Sequence, residues 1–472
     1  MHVLLNFINL PFIGEVDLGG GLLFLFFFSL LAVVGFEFVN GFHDTANAVA
    51  TVIYTKALKP MVAVPWSGFF NFLGVFTGGV AVAMGILKLV PLNEMMALPV
   101  KVGAILVLAV LLAAIIWNLG TWWLGIPCSS SHTMIGAMIG AGLGFTMYYS
   151  GSVNWSKAGE IGMSLILSPL FGFGASLLLM YFLRHVVKAP ILFHAPTGEN
   201  DRPPILIRAM LITTCTLVSF FHGSNDGQKG VGLLMLILIA FLPAKFAVDR
   251  NTDDSKLLVS LNSIQGAIAK ADPSTAGQTT LEQLNAAVDT AKATIAGGMS
   301  REEKHVFTFR KQLQAVVKDV KSVLADQGVT LPAANRATLS SASKALTDTT
   351  DYAPIWAIAT ISLSLGIGTM IGWKRIVLTI GEKIGKEHLN YAQGMTAEIT
   401  AAATIGLSSG AGLPVSTTHV LSSGIAGAMV ASNGTKNLNS NTLKAIGMAW
   451  ILTLPVSIAL SFVLFFIFHL FV

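Results

Sequence analysis

Two short polar clusters interrupt long apolar sequence, and each joins a carboxylate to glycine, amide and imidazole groups. The first is Gly41-Phe42-His43-Asp44-Thr45-Ala46-Asn47-Ala48. The second is His222-Gly223-Ser224-Asn225-Asp226-Gly227-Gln228-Lys229-Gly230. An acidic side chain near the centre of a bilayer costs roughly 2.5–3.5 kcal/mol even on insertion-based scales. Two of them in matching settings imply binding of an ion or a polar solute. Asp44 and Asn47, three residues apart, share a helical face. With main-chain carbonyls they offer a site for sodium or for a proton. Lys229 stands in the second cluster where Asn47 stands in the first. Its ammonium could neutralise Asp226 and fill the place of a cation; the competing reading is a purely structural pair.

A second pair of motifs follows. Pro127-Cys128-Ser129-Ser130-Ser131-His132-Thr133 matches Pro414-Val415-Ser416-Thr417-Thr418-His419-Val420. Proline ends one apolar run, and hydroxyl residues open the next helix. Free amides at a helix start, backed by the positive end of the dipole, form an anion site without net charge. Ser129, Ser130, Ser131, Thr133, Ser416, Thr417 and Thr418 are therefore candidate ligands for one tetrahedral oxyanion held between two such starts. Plain helix capping is the alternative use of these hydroxyls. His43, His132, His222 and His419 are candidate proton relays, because imidazole titrates near neutral pH. Glu398 precedes the second hydroxyl motif, while the matching stretch 107–113 holds no acid. That makes Glu398 an asymmetric coupling candidate. No Cys-x-x-Cys or His-x-x-x-His spacing occurs among the motifs. Ser131 adjoins His132, but no orienting acid completes a hydrolytic triad.

Order and distance show a duplication. Asp44 and His132 lie 88 residues apart, and Asp226 and His419 lie 91 apart once the 102 residues at 249–350 are set aside.

The elements that must position these residues are membrane helices. The chain is 53% hydrophobic and 11% charged, with a mean hydropathy of +0.71. An ordinary soluble domain is about 25% charged. The apolar runs are too long for the alternating strands of an outer-membrane barrel. The net charge of +5 is not gathered into basic, aromatic-interleaved runs, so nucleic acid is not an expected partner. Glu15 and Asp17 near the start argue against a cleaved signal peptide. Cys128 and Cys215 both lie in or beside apolar runs, and no disulfide is expected.

Apolar runs fall at 21–55, 62–88, 102–124, 130–149 and 160–183, then at 206–247, 352–373, 391–409, 415–431 and 445–471. The runs 21–55 and 206–247 exceed the about 20 residues of one span, and each is expected to be a broken or re-entrant helix. Lys56, Lys59, Arg184, Lys188, Arg202, Arg208, Lys374, Arg375, Lys383, Lys386, Lys436 and Lys444 all fall on the cytoplasmic side if the N-terminus is outside. Five runs per half make the halves insert with opposite orientation. The expectation is an all-α polytopic membrane protein of about 10–12 spans in two inverted repeats. Its parts are a first repeat at 1–184, a central cytoplasmic loop at 185–205, a second repeat at 206–248 and 351–472, and a soluble helical insert at 249–350 on the outer side. Within the insert, Ser300-Arg301-Glu302-Glu303 has the form of a capping box. Gly136, Gly140, Gly366 and Gly368 are expected at helix–helix contacts.

These residues resemble the inorganic phosphate transporter (Pit) family. Its duplicated Gly-Ala-Asn-Asp-x-Ala-Asn-Ala signature is similar to Gly41–Ala48 and to Gly223–Gly230. Its Pro-x-Ser-x-Thr-His motif resembles Pro127–Thr133 and Pro414–Val420. The resemblance spans nearly all the apolar chain and omits the insert. The segments around Asp44 and Asp226 resemble the bacterial low-affinity, proton-coupled branch in particular. The resemblance implies a multi-pass protein of the bacterial inner membrane that imports phosphate by symport and alternating access, in bacteria often as a neutral metal–phosphate complex. It implies no resident cofactor. Asp44, Asn47 and Asp226 carry over as ion- and substrate-site residues, joined by Asn225, Lys229 and Glu398 as candidates. Asp44 and Asp226 are the candidate metal ligands. The chain departs from the signature at His43 and Lys229, where the family has Asn, and this favours protons over sodium. A sodium-coupled phosphate or sulfate symporter is the alternative, and an anion channel a weaker one, since an anion pore has no use for paired carboxylates. Expected partners are inorganic phosphate and membrane lipid, with a homo-oligomer left open.

Overall fold

The computed structural model describes residues 7–196, 198, 201–273, 275–302 and 305–471. After a small hairpin of β1 (Phe7–Leu10) and β2 (Gly14–Asp17), the regular structure is helical apart from a two-residue strand pair, β3 (Asp272–Pro273) with β4 (Val329–Thr330). The first half comprises α1 (Gly20–Asp44), α2 (Ala46–Tyr54), α3 (Pro60–Thr77), α4 (Ala81–Leu87), α5 (Leu92–Met95), α6 (Val100–Trp123), α7 (Ser130–Thr146) and α8 (Trp155–Val186). Then come α9 (Ile205–His222), α10 (Gln228–Phe241) and α11 (Pro243–Phe246). A polar region supplies α12 (Asp254–Ile268), α13 (Thr275–Ala296), α14 (Val306–Ala325) and α15 (Ala333–Thr350). The chain ends with α16 (Ile355–Thr369), α17 (Lys374–Glu382), α18 (Tyr391–Gly410), α19 (Thr417–Asn433) and α20 (Ser440–His469).

Among the described residues, five stretches are long and apolar enough to cross a bilayer: Gly20–Tyr54, Val100–Trp123, Trp155–Val186, Ile205–Phe241 and Ser440–His469. Their side chains are sorted oppositely to those of a soluble protein. Phe24, Leu170, Phe182 and Ile451 face outward, while Ser168, Ser176, Thr453 and Ser457 are buried. Lipid solvates the apolar exterior, so polar groups turn inward and find partners there. Ser457 Oγ, for example, donates to Thr453 O at 2.7 Å.

The two motif-bearing runs differ from expectation, for neither is broken or re-entrant. Thr45, between α1 and α2, keeps right-handed helical angles, and its amide reaches Gly41 O at 3.0 Å. In the second run, Gly223–Gly227 form a single π-helical turn between α9 and α10. A π turn takes in an extra residue without ending the helix. The breaks fall elsewhere. Ser129 and Ser416 are extended just before α7 and α19, and α3 and α4 meet at a 70° bend.

The halves pack reciprocally. α1 lies on α16 as α9 lies on α3; α6 on α7 as α18 on α19; α7 on α20 as α19 on α8. α3 and α16 pack on each other, with Gly68 and Gly366 facing. Such an exchange of neighbours is what a two-fold relation between the halves requires. Small residues permit the approach. A Cβ at Gly140 would lie 2.1 Å from Ile458 O, and one at Gly427 would lie 2.3 Å from Phe173 O. Cβ atoms at Gly136, Gly366 and Gly368 would lie 2.8, 3.0 and 2.3 Å from opposing main-chain oxygens, so the expected Gly136, Gly140, Gly366 and Gly368 all sit at helix contacts.

The polar region belongs to a separate compact unit, Leu238–Tyr352. Leu257, Leu261, Ile264 and Ile268 recur at helical spacing on α12, and Phe309, Leu313, Val316 and Val320 on α14. Each amphipathic helix buries one stripe, and α12–α15 close into a four-helix ring. The helix expected to open at Ser300 opens instead at Val306. Met299–Arg301 form a 3-10 turn, and Ser300 Oγ donates to Asp254 Oδ2 at 2.6 Å. That hydroxyl is thereby withdrawn from capping; Glu303, the expected second member of the box, lies outside the described residues.

Candidate functional site

Both acidic motifs and both hydroxyl helix starts meet in one buried cluster. Asp44 and Asp226 are 1% and 0% exposed. Ser130 Oγ, in the first turn of α7, lies 2.8 Å from Asp44 Oδ2 and 3.3 Å from Asp226 Oδ2. One hydroxyl of the first half therefore faces the carboxylates of both halves. It carries a single proton, so it donates to one of them at a time. From α19, Thr418 Oγ1 donates to Asp44 Oδ1 at 2.7 Å, and Thr417 Oγ1 lies 3.5 Å from Asp226 Oδ2.

Asn47 and Lys229 occupy matching posts. Asn47 Nδ2 reaches Asp44 Oδ1 at 3.2 Å and Thr418 Oγ1 at 2.9 Å. Lys229 Nζ lies 2.7 Å from Asp226 Oδ1 and donates to Ser131 Oγ. The Ser131 hydroxyl in turn donates to Val415 O at 2.6 Å. Ser131 and Thr418 are equivalent in the duplication. Each i+3 residue thus ties the aspartate of its own half to the helix start of the other.

Two of the four histidines touch the carboxylates. His43 Nδ1 lies 3.5 Å from Asp44 Oδ1, and its Nε2 faces Thr121 Oγ1 at 3.3 Å and Cys128 Sγ at 3.6 Å. Asn71 Nδ2 donates to Thr369 Oγ1 at 3.1 Å, which leaves Asn71 Oδ1 to accept from His222 Nδ1 at 2.9 Å. In the neutral ring that tautomer leaves a lone pair on Nε2. It faces Asp226 Oδ2 at 3.6 Å and Asp44 Oδ2 at 3.9 Å. Asp44, His222 and Asp226 each bring a ligand atom within 4.8 Å of the others.

The remaining candidates lie around this centre. Ser129 and Ser416 cap α7 and α19, each accepting from the amide of its histidine at 3.2 Å. Thr133 Oγ1 donates to Ser129 O at 3.0 Å within its own helix. His132 and His419 face each other with ring centres 4.6 Å apart, and His419 stacks on Trp450. Asn225 braces the loop ahead of α19: its Nδ2 donates to Ser409 Oγ and Leu413 O, and its Oδ1 accepts from Val415 N at 3.1 Å. Glu398 sits apart, between α2 and α9, with hydroxyls of Thr51 and Thr214 on its two oxygens.

The arrangement can hold a small anion at two helix starts only if something balances the two aspartates beneath it. A model of the phosphate transporter family matches residues 40–461. The chain belongs to the phosphate transporter family. It is 40% identical to the low-affinity inorganic phosphate transporter PitB of Escherichia coli (strain K12), over 95% of this chain and 97% of that one. It is 29% identical to a probable low-affinity inorganic phosphate transporter of Bacillus subtilis (strain 168), over 95% and 98% of the two chains. Among solved structures, one titled the sodium-dependent phosphate transporter shares the fold with a TM-score of 0.55 and 21% identity, covering 96% of this chain and all of that one. As a phosphate transporter family member the protein is multi-pass and helical. In bacteria this architecture belongs to the inner membrane, since the outer membrane is spanned by barrels.

Sequence reasoning missed several residues of this family member's polar interior. Asn71 orients His222, and Thr51 and Thr214 hold Glu398. Glu37 is fully buried on α1. An acid inside the run 21–55, seven residues before Asp44 and so on its helical face, was a readable signal.

Proposed function

We propose that this phosphate transporter family member imports inorganic phosphate by proton symport, through alternating access of its two halves around the Asp44–Asp226 cluster. The observation that carries the reading is the convergence of Ser130, Thr417 and Thr418 on two aspartates whose built-in counter-charge is Lys229. The first amides of α7 and α19 have no helical carbonyl to bind. With the hydroxyls of Ser130, Ser131, Thr417 and Thr418 they supply donors for phosphate oxygens. Phosphate beside two carboxylates meets like charge at short range. Protons delivered with it relieve that repulsion, which couples the two fluxes. The Lys229 ammonium already stands on Asp226, where sodium would otherwise sit, and this favours protons. His43 and His222, in contact with the aspartates, are the relay residues, and no resident cofactor is needed.

A specific geometry supports a second cargo. The ligand atoms of Asp44, Asp226 and His222 lie within 4.8 Å of one another, and a divalent cation travelling with phosphate would be neutralised there. Uptake of radiolabelled phosphate into proteoliposomes tests both readings. Proton, sodium and magnesium are varied one at a time, with sulfate as competitor. An inward proton gradient is expected to drive uptake without sodium. Uptake that needs sodium and ignores the proton gradient overturns proton symport. Uptake that requires magnesium makes the complex the cargo.

A further inference from the structure

Glu37 precedes Asp44 by two helical turns and is 0% exposed. Its polar partner among the described residues is Asn40, whose Nδ2 lies 3.3 Å from Oε2; Oε1 has none. The space for this carboxyl is made by Gly230, one residue past Lys229. A Cβ on Gly230 would lie 2.3 Å from Glu37 Oε1 and 2.4 Å from its carboxyl carbon. The side chain of α1 therefore rests on the main chain of α10.

Glu398 provides the contrast. It lies between α2 and α9, the elements that match α10 and α1 in the other half. Hydroxyls of Thr51 and Thr214 reach one oxygen each, so both oxygens of that carboxyl have a partner. Glu37 has one long amide contact and a bare oxygen, and charge held there is costly. A bound proton removes that cost. Asn40 fits both forms: its amide donates to a carboxylate and, turned over, its carbonyl accepts from a carboxylic O–H. Asn40 Oδ1 otherwise has no partner. The charged groups acting on Glu37 are Asp226, Lys229 and Asp44. Of the helices packed on α1, α16 carries no charge and α6 carries only Lys101, exposed at its start.

We propose that Glu37 carries the coupling proton. The assignment rests on the proton-symport reading above. In the outward-open state the Glu37 carboxylate takes a proton from hydronium, forming one O–H bond and leaving water. The neutral acid passes through the closed, water-free state. In the inward-open state the O–H bond breaks, the proton leaves to water, and the carboxylate is restored.

The test compares full-length wild type, Glu37→Gln and Glu37→Asp in proteoliposomes. An inward gradient of one pH unit drives up to about tenfold accumulation per coupled proton. Exchange of internal for external phosphate at equal pH needs no net proton movement. Glu37→Gln is expected to exchange at the wild-type rate while accumulation falls to the external level and net uptake loses its pH dependence. Glu37→Asp, which keeps a carboxyl, is expected to recover accumulation. Wild-type accumulation in Glu37→Gln overturns the assignment and leaves proton symport standing. Loss of exchange together with accumulation also overturns it, by making Glu37 part of the packing or of the substrate site. Wild-type uptake that follows sodium alone overturns both readings.

Discussion

The first copy of the acidic motif holds its aspartate with a neutral amide; the second holds its aspartate with a buried cation. Asn47 and Lys229 otherwise do the same mechanical work, each reaching from its own helix to the opposing helix start. Similar wiring with different charge separates the geometry, which the halves share, from the electrostatics, which they do not. Asp226 has the Lys229 side-chain nitrogen at 2.7 Å. Asp44 has the hydroxyls of Ser130 and Thr418, the amide of Asn47 and the His43 ring at 3.5 Å. The two halves are thus alike as scaffolds and unlike as ion sites.

The strongest way to break this comparison is to remove either carboxylate. Asp44→Asn and Asp226→Asn are each expected to abolish proton-driven phosphate uptake while the protein still reaches the membrane. Normal transport in either variant would end the assigned role. Next comes Lys229→Asn, which rebuilds the first motif in the second. Removing one partner of a buried pair costs roughly 3–5 kcal/mol, so a large loss of uptake is expected, with partial recovery in sodium if a cation can replace the ammonium. Indifference to sodium and full proton-driven uptake would show that Lys229 is no counter-ion.

Smaller effects sharpen the scaffold side. Gly140→Ala and Gly427→Ala push a methyl group against an opposing carbonyl, and overpacking of this kind costs about 1–3 kcal/mol. Thermal denaturation in detergent should register equal losses; clearly unequal ones would contradict the two-fold relation. Least of all, Ser129→Ala and Ser416→Ala should each cost about 1 kcal/mol through the lost cap, with uptake retained. A transport defect larger than the stability loss would return these hydroxyls to the substrate.

Much of this was legible because it is local. The Asp44–Asn47 and Asp226–Lys229 pairs follow from i, i+3 spacing, and the N-caps at Ser129 and Ser416 from hydroxyls placed after proline. The fold class followed from hydropathy. The π turn at Gly223–Gly227 was not legible, since one extra residue in a turn leaves no mark on an apolar run. Nor were the partners of Glu398: Thr51 and Thr214 stand 347 and 184 residues away in the chain. Ser300 suggested a capping box, while the box that forms is Asn390 with Gln393, where an apolar helix follows at once. Glu37 could have been read, as an acid on the face of Asp44.

The crossed packing of α7 on α20 and α8 on α19 also sets a timetable. α20 begins at Ser440, 294 residues after α7 ends at Thr146. At roughly 5–20 residues per second, α7 waits on the order of 15–60 s for its partner during synthesis. Throughout that interval the glycines of α7 lack the helix they pack on. A nascent chain cut short before α19 should therefore be cleared quickly by membrane proteases in a pulse-chase experiment. The same fragment should persist when the missing half is supplied as a second polypeptide.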